Sequence, residues 1–275
     1  MIRLDSVTYS YNGTGKILSG ISLEIYPGEH IAVIGPNGSG KTTLLRHMNG
    51  LLSPSSGRVT VDDFDTKNQR TLPRVRQLAG MVFQNPDNQI VGMTVEEDVA
   101  FGPGNLGLPP AEIRRRVERS LNRVGIQDLS HRTPSTLSNG EKQLVAVAGV
   151  LAMEPRYLLL DEASAYLDPA GKARISEVIS ELDREGITIV HVTHDMDEAA
   201  RARRVIVLAH GRIIMDGPPS EIFNRADDLD GLGLAVPAAA GLAHRLRSAG
   251  VPIPSGILTM EDAEEAIKKL LAFSF

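Results

Sequence analysis

Residues 35–43, GPNGSGKTT, constrain the fold of this chain more than any other segment. They match G-x-x-x-x-G-K-[ST], a glycine-rich loop that joins a buried strand to a helix. An apolar run of strand length, His30–Ile34, precedes the loop. The stretch Lys41–Asn49 lacks glycine and proline and is followed by Gly50, so we predict a helix with a glycine stop. This order of strand, loop and helix predicts an α/β fold.

The residue types in the loop suit the phosphates of a nucleotide. Gly35, Gly38 and Gly40 let the backbone turn tightly, so that successive N–H groups point at phosphate oxygens. The positive end of the following helix favours an anion. Lys41 supplies a charge to the β- and γ-phosphates, and the Thr42 hydroxyl is available to Mg²⁺. The residues predicted to contact the nucleotide here are Gly35, Asn37, Gly38, Ser39, Gly40, Lys41, Thr42 and Thr43. A glycine-rich turn that binds nothing is the alternative, and the flanking strand and helix disfavour it.

Composition limits the classes of partner. The 275 residues, 42% of them hydrophobic, suffice for one large domain or a domain with a small appendage. The net charge is −5, no block of like charge exceeds the triplet Arg114–Arg116, and this triplet is interpreted as a solvated helix face. We therefore expect no nucleic-acid partner. The chain has no cysteine, which excludes disulfides and thiolate metal sites.

Membrane-spanning segments are not expected. The N-terminal residues MIRLDSVTYSY lack the apolar core of a signal peptide. The longest apolar run, Leu144–Met153, is shorter than the roughly 20 residues that cross a bilayer. We expect a soluble chain whose membrane role would come through a partner.

Strand signals near the N-terminus indicate an antiparallel β region that leads into the phosphate-loop strand. The runs Arg3–Tyr9, Ile21–Ile25 and Arg58–Val61 are strand-like, and turn signals stand at Asn12-Gly13 and Pro27-Gly28. Residues 85–152 differ in character and are predicted to be a helical insertion. The first helix there opens at Pro109-Pro110, and another spans about Asn139 to Ala152.

The second half of the chain returns to an α/β pattern. Strand runs at Tyr157–Leu160, Ile187–Val192 and Val205–Leu208 alternate with a helical stretch, Lys172–Arg184, which predicts a mostly parallel sheet. Leu208–Gly217 is predicted to form a hairpin. The tail from Asp227 has helical patterns at Ala239–Ala249 and Glu261–Ala272, with Thr259 as the N-cap of the last helix and Ile267, Leu270 and Leu271 on one stripe.

Polar residues follow two of the predicted strands. Asp161 ends the aliphatic run RYLLLDE, where it can hold Mg²⁺, and Glu162 can orient and deprotonate an attacking water. His194 follows the strand ITIVHVT, at the edge where ligands bind open α/β sheets, and is interpreted as a γ-phosphate contact. His191 lies inside that strand and is interpreted as structural. Gln84 and Tyr11 carry little meaning alone, as a polar loop residue and a core aromatic.

The segment LSNGEKQ, residues 137–143, supports two interpretations that are compatible. Ser138 and Glu141 form a capping box that opens an apolar helix. Asn139 and Gly140 expose backbone N–H groups at the helix start, where a phosphate can also bind.

These segments, in this order, resemble the ATPase subunit of ABC transporters over about residues 1–225. The matching positions are Tyr11 for the aromatic residue that stacks on adenine, residues 35–42 for Walker A, Gln84 for the Q-loop, Leu137–Gln143 for the signature, Leu158–Asp161 for Walker B, Glu162 for the catalytic carboxylate, residues 164–168 for the D-loop and His194 for the switch histidine.

The resemblance implies ATP and Mg²⁺ as cofactors. It implies Thr42, Gln84 and Asp161 as metal ligands, and Lys41, Glu162 and His194 as catalytic residues. It also implies that Ser138, Asn139, Gly140, Glu141 and Asp168 serve the ATP site of a partner subunit, because each ATP in this family lies between Walker A of one subunit and the signature of the other.

A narrower resemblance, at residues 82–102 and 193–202, is to the A components of energy-coupling-factor transporters and to related cobalt and nickel importer ATPases. In that family two ATPase subunits lie under a membrane T component, and a separate S component captures a vitamin or metal ion. The tail beyond residue 225 is similar to the extension that helps to pair the ATPases. The implied partners are a second ATPase subunit, either a copy or a homologue, and the T and S components. The implied location is peripheral, on the cytoplasmic face of the membrane.

The signature departs from the usual LSGGQ at Asn139 and Glu141. Glu141 places a negative charge in the first helical turn, which favours the helix but disfavours a nearby γ-phosphate. If Asn139 and Glu141 weaken the capping of the partner's ATP, the complex is expected to be asymmetric, with a homologue rather than a copy of this chain as the partner.

The sequence thus predicts an α/β phosphate-loop ABC ATPase core with an antiparallel β subdomain, a helical subdomain and a small C-terminal helical extension. The ATPase domain is expected over residues 1–225, with its helical subdomain at about 85–152, and the extension over 226–275. The alternatives are the ATPase of another ABC transporter and a soluble ABC ATPase acting on DNA or ribosomes. A non-hydrolysing regulator would be expected to lack Glu162 or His194.

Overall fold

The structure is a computed structural model that describes residues 1–11, 15–165 and 167–272, with the side chain of Ala272 left out. Two predicted features lie outside the described residues, namely the turn at Asn12-Gly13 and position Tyr166 of the predicted D-loop segment.

The described strands form two sheets. The strands are β1 Ile2–Tyr9, β2 Leu18–Ile25, β3 His30–Ile34, β4 Ser56–Val61, β5 Phe64–Asp65, β6 Ala79–Val82, β7 Tyr157–Asp161, β8 Thr188–Val192, β9 Arg204–Ala209 and β10 Arg212–Gly217. A four-stranded antiparallel sheet has the order β2-β1-β4-β5, and a six-stranded sheet has the order β10-β9-β3-β8-β7-β6. In the larger sheet β10 alone is antiparallel to its neighbour, which confirms the predicted hairpin and the mostly parallel sheet.

The described helices are α1 Lys41–Met48, α2 Leu72–Leu78, α3 Val95–Asn105, α4 Pro110–Val124, α5 Asn139–Ala152, α6 Pro169–Arg184, α7 Met196–Ala199, α8 Pro219–Ile222, α9 Ala226–Asp230, α10 Ala238–Ser248 and α11 Met260–Ala272. The predicted starts of α1, α4 and α5 are confirmed. Thr259 accepts a hydrogen bond from the Asp262 N–H at 3.1 Å, as its predicted capping role requires.

Several short elements escaped prediction, and for three of the elements, β6, α2 and α3, the sequence gives a local reason. The strand β6 has four residues, too few for a periodic pattern. The helix α2 is also short and has a proline in its first turn. The helix α3 contains Gly102, Pro103 and Gly104, which break helical patterns, although a capping box of Thr94 and Glu97 marks its start.

The six-stranded sheet is buried on both faces. One face packs against the antiparallel sheet and α1 through residues such as Val33, Leu159 and Leu208. The other face packs against α3, α5 and α6, through residues such as Leu158 and Ile189. Because its inner strands are covered on both sides, they read as continuous apolar runs, which is why the sequence revealed them.

The C-terminal helices α10 and α11 share a small apolar core of Ala239, Ala243, Ile253, Ile257, Ala263 and Ala266. Ile267 and Leu270 pack against this core. Leu271 is 58% exposed. Two members of the predicted apolar stripe, Ile267 and Leu270, therefore pack within the chain, and Leu271 remains exposed. Within the described ranges, no helix has the length and apolarity needed to cross a membrane.

Candidate functional site

Four neighbouring parallel strands deliver the predicted site residues to one edge of the larger sheet. The glycine loop follows β3, His194 follows β8, Asp161 and Glu162 stand at the end of β7, and Gln84 follows β6. Carboxyl ends of adjacent parallel strands meet at the same edge, which is where ligands bind in open α/β folds. The sheet order thus brings together residues that are up to 159 positions apart, from loop residue 35 to residue 194.

The loop after β3 requires its glycines. A Cβ atom at Gly35 would lie 2.0 Å from the carbonyl oxygen of Leu208, so no larger residue fits. Gly40 has a φ of 105° at the N-cap of α1, and a Cβ there would lie 2.9 Å from the Ile17 carbonyl oxygen. The close approach and the left-handed backbone both favour glycine. The loop is therefore packed into the protein on one side, and its residues Asn37–Thr43 line a cleft on the other.

Lys41 folds back over this loop. Its Nζ donates to the carbonyl oxygens of Gly35 and Pro36 at 2.8 and 3.1 Å. Burial lowers the pKa of Lys41, and the nearby carboxylates of Glu162 and Asp161 oppose that shift. Carbonyl oxygens are weaker partners for an ammonium than phosphate oxygens, so a phosphate in the loop would compete well for Lys41.

Thr42 and Asp161 join the loop to β7. The Thr42 hydroxyl donates to Asp161 Oδ1 at 2.8 Å, and Asp161 is 3% exposed. Burial raises the pKa of Asp161, and the hydrogen bond from Thr42 opposes the shift. A hydroxyl and a carboxylate side by side are oxygen ligands that suit Mg²⁺ when substrate phosphates complete its coordination. The described part of the chain holds no cluster of three or more His, Cys, Asp or Glu side chains able to bind a metal.

Glu162 is held between two of the other predicted residues. Gln84 Nε2 donates to its Oε2 at 2.6 Å, and His194 Nε2 lies 2.9 Å from its Oε1. The side chain of Glu162 is 15% exposed. Its backbone has a φ of 51°, an uncommon left-handed conformation that places strain at this position.

Two clefts meet at Glu162. One, of about 270 Å³, is lined by Glu162, Tyr11, Ile17 and the loop from Asn37 to Thr43. The other, of about 220 Å³, is lined by Glu162, Ser164, Ala165, Lys172, Thr193, His194 and Asp195. Glu162 thus faces both the space over the phosphate loop and the space beside His194.

Tyr11 stands at the rim of the first cleft, where an adenine ring could lie against it. It is 40% exposed, its ring meets Tyr9 edge-on at 4.9 Å, and its hydroxyl lies 3.4 Å from Thr43 Oγ1.

The predicted signature residues begin α5, and the capping box is confirmed. Ser138 Oγ accepts from the Glu141 N–H at 3.3 Å. Glu141 Oε2 accepts from the Ser138 N–H at 2.7 Å and from its hydroxyl at 2.9 Å. A Cβ at Gly140 would lie 3.7 Å from the Cα of Gly171, and the Gly171 N–H donates to the N-cap residue Asp168 at 2.8 Å. The starts of α5 and α6, which carry the residues assigned to a partner's ATP site, therefore lie together.

Sequence reasoning gave no role to Gln89 or Gln143, which both contact the residue before Gln84. Gln89 Oε1 accepts from the Phe83 N–H at 3.1 Å, and Gln143 Nε2 donates to the Phe83 carbonyl oxygen at 3.1 Å. Gln143 is 1% exposed. Its place directly before the apolar run that begins at Leu144 was an available sign of a buried amide.

An apolar groove of about 530 Å³ lies between the sheet edge and the helical insertion. Its lining includes Met81, Phe83, Val91, Phe101 and Met153. Val91 and Phe101 are 64% and 56% exposed. Such a concentration of exposed apolar side chains beside a groove is typical of a protein interaction site.

Asp87 accepts a hydrogen bond from Lys142 Nζ at 2.7 Å, so its ion pair lies within the chain.

Comparison with known proteins gives a consistent result. A profile of the family described as "ABC transporter" matches residues 18–165. The chain is 49% identical over 263 residues to the cobalt import ATP-binding protein CbiO of Syntrophus aciditrophicus, covering 95% of this chain and 94% of the relative. It is 50% identical over 278 residues to the energy-coupling factor transporter ATP-binding protein EcfA1 of Symbiobacterium thermophilum, covering 98% and 97%.

Two solved structures are similar over most of their length. CbiO1 from Clostridium perfringens, described as part of the ABC transporter complex CbiONQ, has a TM-score of 0.75 and 40% identity, covering 88% of this chain and 97% of that one. A dimeric ATP-binding cassette in a post-hydrolysis state, bound to ADP and Pi, has a TM-score of 0.72 and 30% identity, covering 79% and 98%.

Proposed function

We propose that this chain, which belongs to the ABC transporter family of ATP-binding proteins, is the ATP-hydrolysing subunit of an energy-coupling-factor-type importer. It couples ATP hydrolysis to the uptake of a vitamin or transition-metal ion through membrane partners. The observation that carries the hydrolytic part is Glu162 between Gln84 and His194, next to the Thr42–Asp161 pair. The names of the CbiO and EcfA1 relatives support the type of transporter.

The catalytic roles follow from where each group lies. Glu162 faces the cleft over the phosphate loop, and as a carboxylate it can accept a proton from a water that attacks the γ-phosphate. His194 lies 2.9 Å from Glu162, which lets it orient the carboxylate and contact the γ-phosphate. Lys41 is positioned to leave the carbonyl oxygens of its own loop for phosphate oxygens, which stabilises charge during transfer.

Mg²⁺ fits the oxygens of Thr42 and Asp161, with the amide oxygen of Gln84 as a further ligand. The ion would supply charge neutralisation of the β- and γ-phosphates. Burial of Asp161 supports this role, because a buried carboxylate gains more from a cation than an exposed one does.

The proposed partners occupy two different faces. A second ATPase subunit, a copy or a homologue, covers the starts of α5 and α6, where Ser138, Asn139, Gly140, Glu141 and Asp168 lie. The C-terminal extension, residues 226–275, contributes to this pairing through its exposed Leu271.

A membrane T component docks in the apolar groove, because the groove borders the Gln84 segment and exposes apolar side chains. A separate S component captures the solute. We propose that the chain, docked through this groove, is a peripheral subunit on the cytoplasmic face of the membrane.

The test is co-purification from membranes. The tagged full-length chain is expressed with the membrane proteins encoded beside its gene, and solubilised membranes are passed over an affinity column. We expect the wild-type chain to retain an integral membrane protein. Phe101→Asp, which disrupts the groove, should abolish this retention. The matched control is Ile214→Asp, at an exposed site on β10, which should leave retention unchanged. Retention of ribosomes or nucleic acid in place of a membrane protein would overturn the proposal.

A further inference from the structure

We propose that Gln89 and Gln143 are positioning residues of the ATPase reaction. They hold the backbone of Phe83 from two sides and thereby set the direction from which Gln84 reaches Glu162. The inference rests on the proposed ATPase function and adds to it two residues that do not touch the nucleotide cleft.

Gln89 supports the N–H side of Phe83. The 3-10 turn Pro86–Asn88 folds the chain back, so that Gln89 Oε1 accepts from the Phe83 N–H at 3.1 Å. Its Nε2 also approaches the Met81 carbonyl oxygen, at 3.4 Å. A backbone N–H can only donate, which fixes the orientation of the Gln89 amide.

Gln143 supports the carbonyl side. It lies in the first turns of α5, it is 1% exposed, and its Nε2 donates to the Phe83 oxygen at 3.1 Å. A buried amide without a hydrogen-bond partner is destabilising, so the conformation in which Gln143 donates to the Phe83 oxygen is favoured over one without this bond. The preceding residue, Lys142, pairs with Asp87 at 2.7 Å. The helix therefore holds the segment around Gln84 at two points.

The consequence for Gln84 is geometric. The strand β6 ends at Val82, so both backbone polar groups of Phe83 bond to side chains of the loop and of α5. The next residue, Gln84, donates to Glu162 Oε2 at 2.6 Å. Displacing the Phe83 peptide moves the base of the Gln84 side chain, and with it the support of Glu162.

The same arrangement connects three parts of the molecule. Gln89 and Phe83 both line the apolar groove, so an occupant of the groove touches the support of Gln84. The helix that carries Gln143 begins with the signature residues, so movement of its start also reaches Phe83. A movement at either place is transmitted to Glu162 through one peptide group.

Two variants of Gln89 separate the hydrogen bond from the volume of the side chain. Gln89→Met removes the acceptor for the Phe83 N–H, and Gln89→Glu keeps it. With the full-length chain purified in complex with its second ATPase subunit and supplied with MgATP, we expect Gln89→Met to lower kcat about tenfold with little change in KM, since small misplacements of reacting groups have large effects on rate. Gln89→Glu should recover most of the rate. Gln127→Met, in an exposed turn, is the control.

A double substitution tests whether Gln89 acts through Gln84. If it does, Gln84→Ala with Gln89→Met should be no slower than Gln84→Ala alone, because the two effects are not independent. Gln143→Glu, whose ionised side chain cannot donate to the Phe83 oxygen, should reproduce the kcat loss from the other side. Thermal unfolding of each variant checks that the chain is folded.

Additive losses in the double variant, or wild-type kcat in folded Gln89→Met, would overturn the inference and leave the proposed function intact. Absence of ATP hydrolysis in the wild-type chain assembled with its second ATPase subunit would instead count against the proposed function.

Discussion

Glu162 Oε1 and His194 Nε2 lie 2.9 Å apart, although the two residues follow different strands, β7 and β8. The contact exists because these strands are parallel neighbours whose carboxyl ends share one sheet edge. With Gln84 on its other oxygen, Glu162 is held on both sides. A base that is already oriented needs little reorganisation during the reaction, and this orientation suits Glu162 to act as the general base.

The carboxylate of Asp62, outside the candidate site, predicts how the free energy of unfolding depends on pH. Burial alone would raise the pKa of Asp62, but hydrogen bonds from the N-terminal ammonium, the Tyr157 hydroxyl and Arg156 outweigh it and lower the pKa to about 2. A depressed pKa stabilises the fold above the unfolded value of about 3.9, and this contribution is lost as the pH falls towards 2.

Asp62→Asn should therefore lower the free energy of unfolding at pH 7 by about 2 kcal/mol. The left-handed backbone at this position, with a φ of 45°, tolerates Asn, so added strain is not the cause. Denaturant unfolding measures the change. Asp63→Asn, at the exposed next residue, is the control, and equal effects of the two substitutions would contradict the assignment.

A buried histidine pair predicts a second loss of stability in acid, over a higher pH range than that of Asp62. His30 Nε2 and His191 Nδ1 lie 3.1 Å apart, and His30 also faces Asp183, which pairs with Arg203. Burial lowers the pKa of both histidines, that of His191 to about 3 with His30 contributing. Unfolded histidine titrates near pH 6.5, so the unfolded state binds more protons between about 6.5 and 3.

The histidine pair should thus stabilise fully above about pH 6.5 and lose stability as the pH falls below it. In His191→Gln, the decline in the free energy of unfolding between pH 6.5 and 4.5 should be shallower than in the wild type. His131→Gln, whose side chain is 84% exposed, serves as the control. Identical pH slopes for wild type and His191→Gln would show that the pair does not titrate in this way.

The start of α5 predicts an effect on the partner's ATP site. Glu141 Oε2 accepts from both the N–H and the hydroxyl of Ser138, which keeps a negative charge at the helix start. Charges at helix ends change stability by about 0.3–1 kcal/mol, and up to about 2 when partly buried, enough to alter an affinity several-fold. Asn139→Gly combined with Glu141→Gln should raise ATP affinity or turnover at the partner's Walker A site.

The measurement pairs this chain, carrying Glu162→Gln, with a partner whose catalytic carboxylate is intact, so that hydrolysis reports one site. Glu97→Gln removes the equivalent charge from the capping box of α3 and controls for general effects on helices. If the restored pair binds and hydrolyses ATP like the original, the substitutions are neutral, and a symmetric homodimer becomes the simpler arrangement.

Sequence reasoning located the site because its residues carry local patterns. A few neighbouring residues suffice to recognise the glycine loop, the acids at the end of β7 and the capping box at Ser138 and Glu141. The order of the strands in the sheet could not be predicted from the sequence, because β6 is short and pairs with β7 about 75 positions later in the chain. The support of Phe83 by Gln89 and Gln143 escaped for the same reason, because it depends on how α5 packs against the loop.

Glu162→Gln is the most direct test of Glu162 as the general base. We expect this variant to bind ATP as the wild type does but to hydrolyse it about 10²–10⁴-fold more slowly, the usual contribution of a general base. Single-turnover hydrolysis with saturating MgATP, alongside equilibrium binding of a fluorescent ATP analogue, measures both quantities. A rate close to that of the wild type, with binding unchanged, would contradict the assignment of Glu162 as the base that activates water.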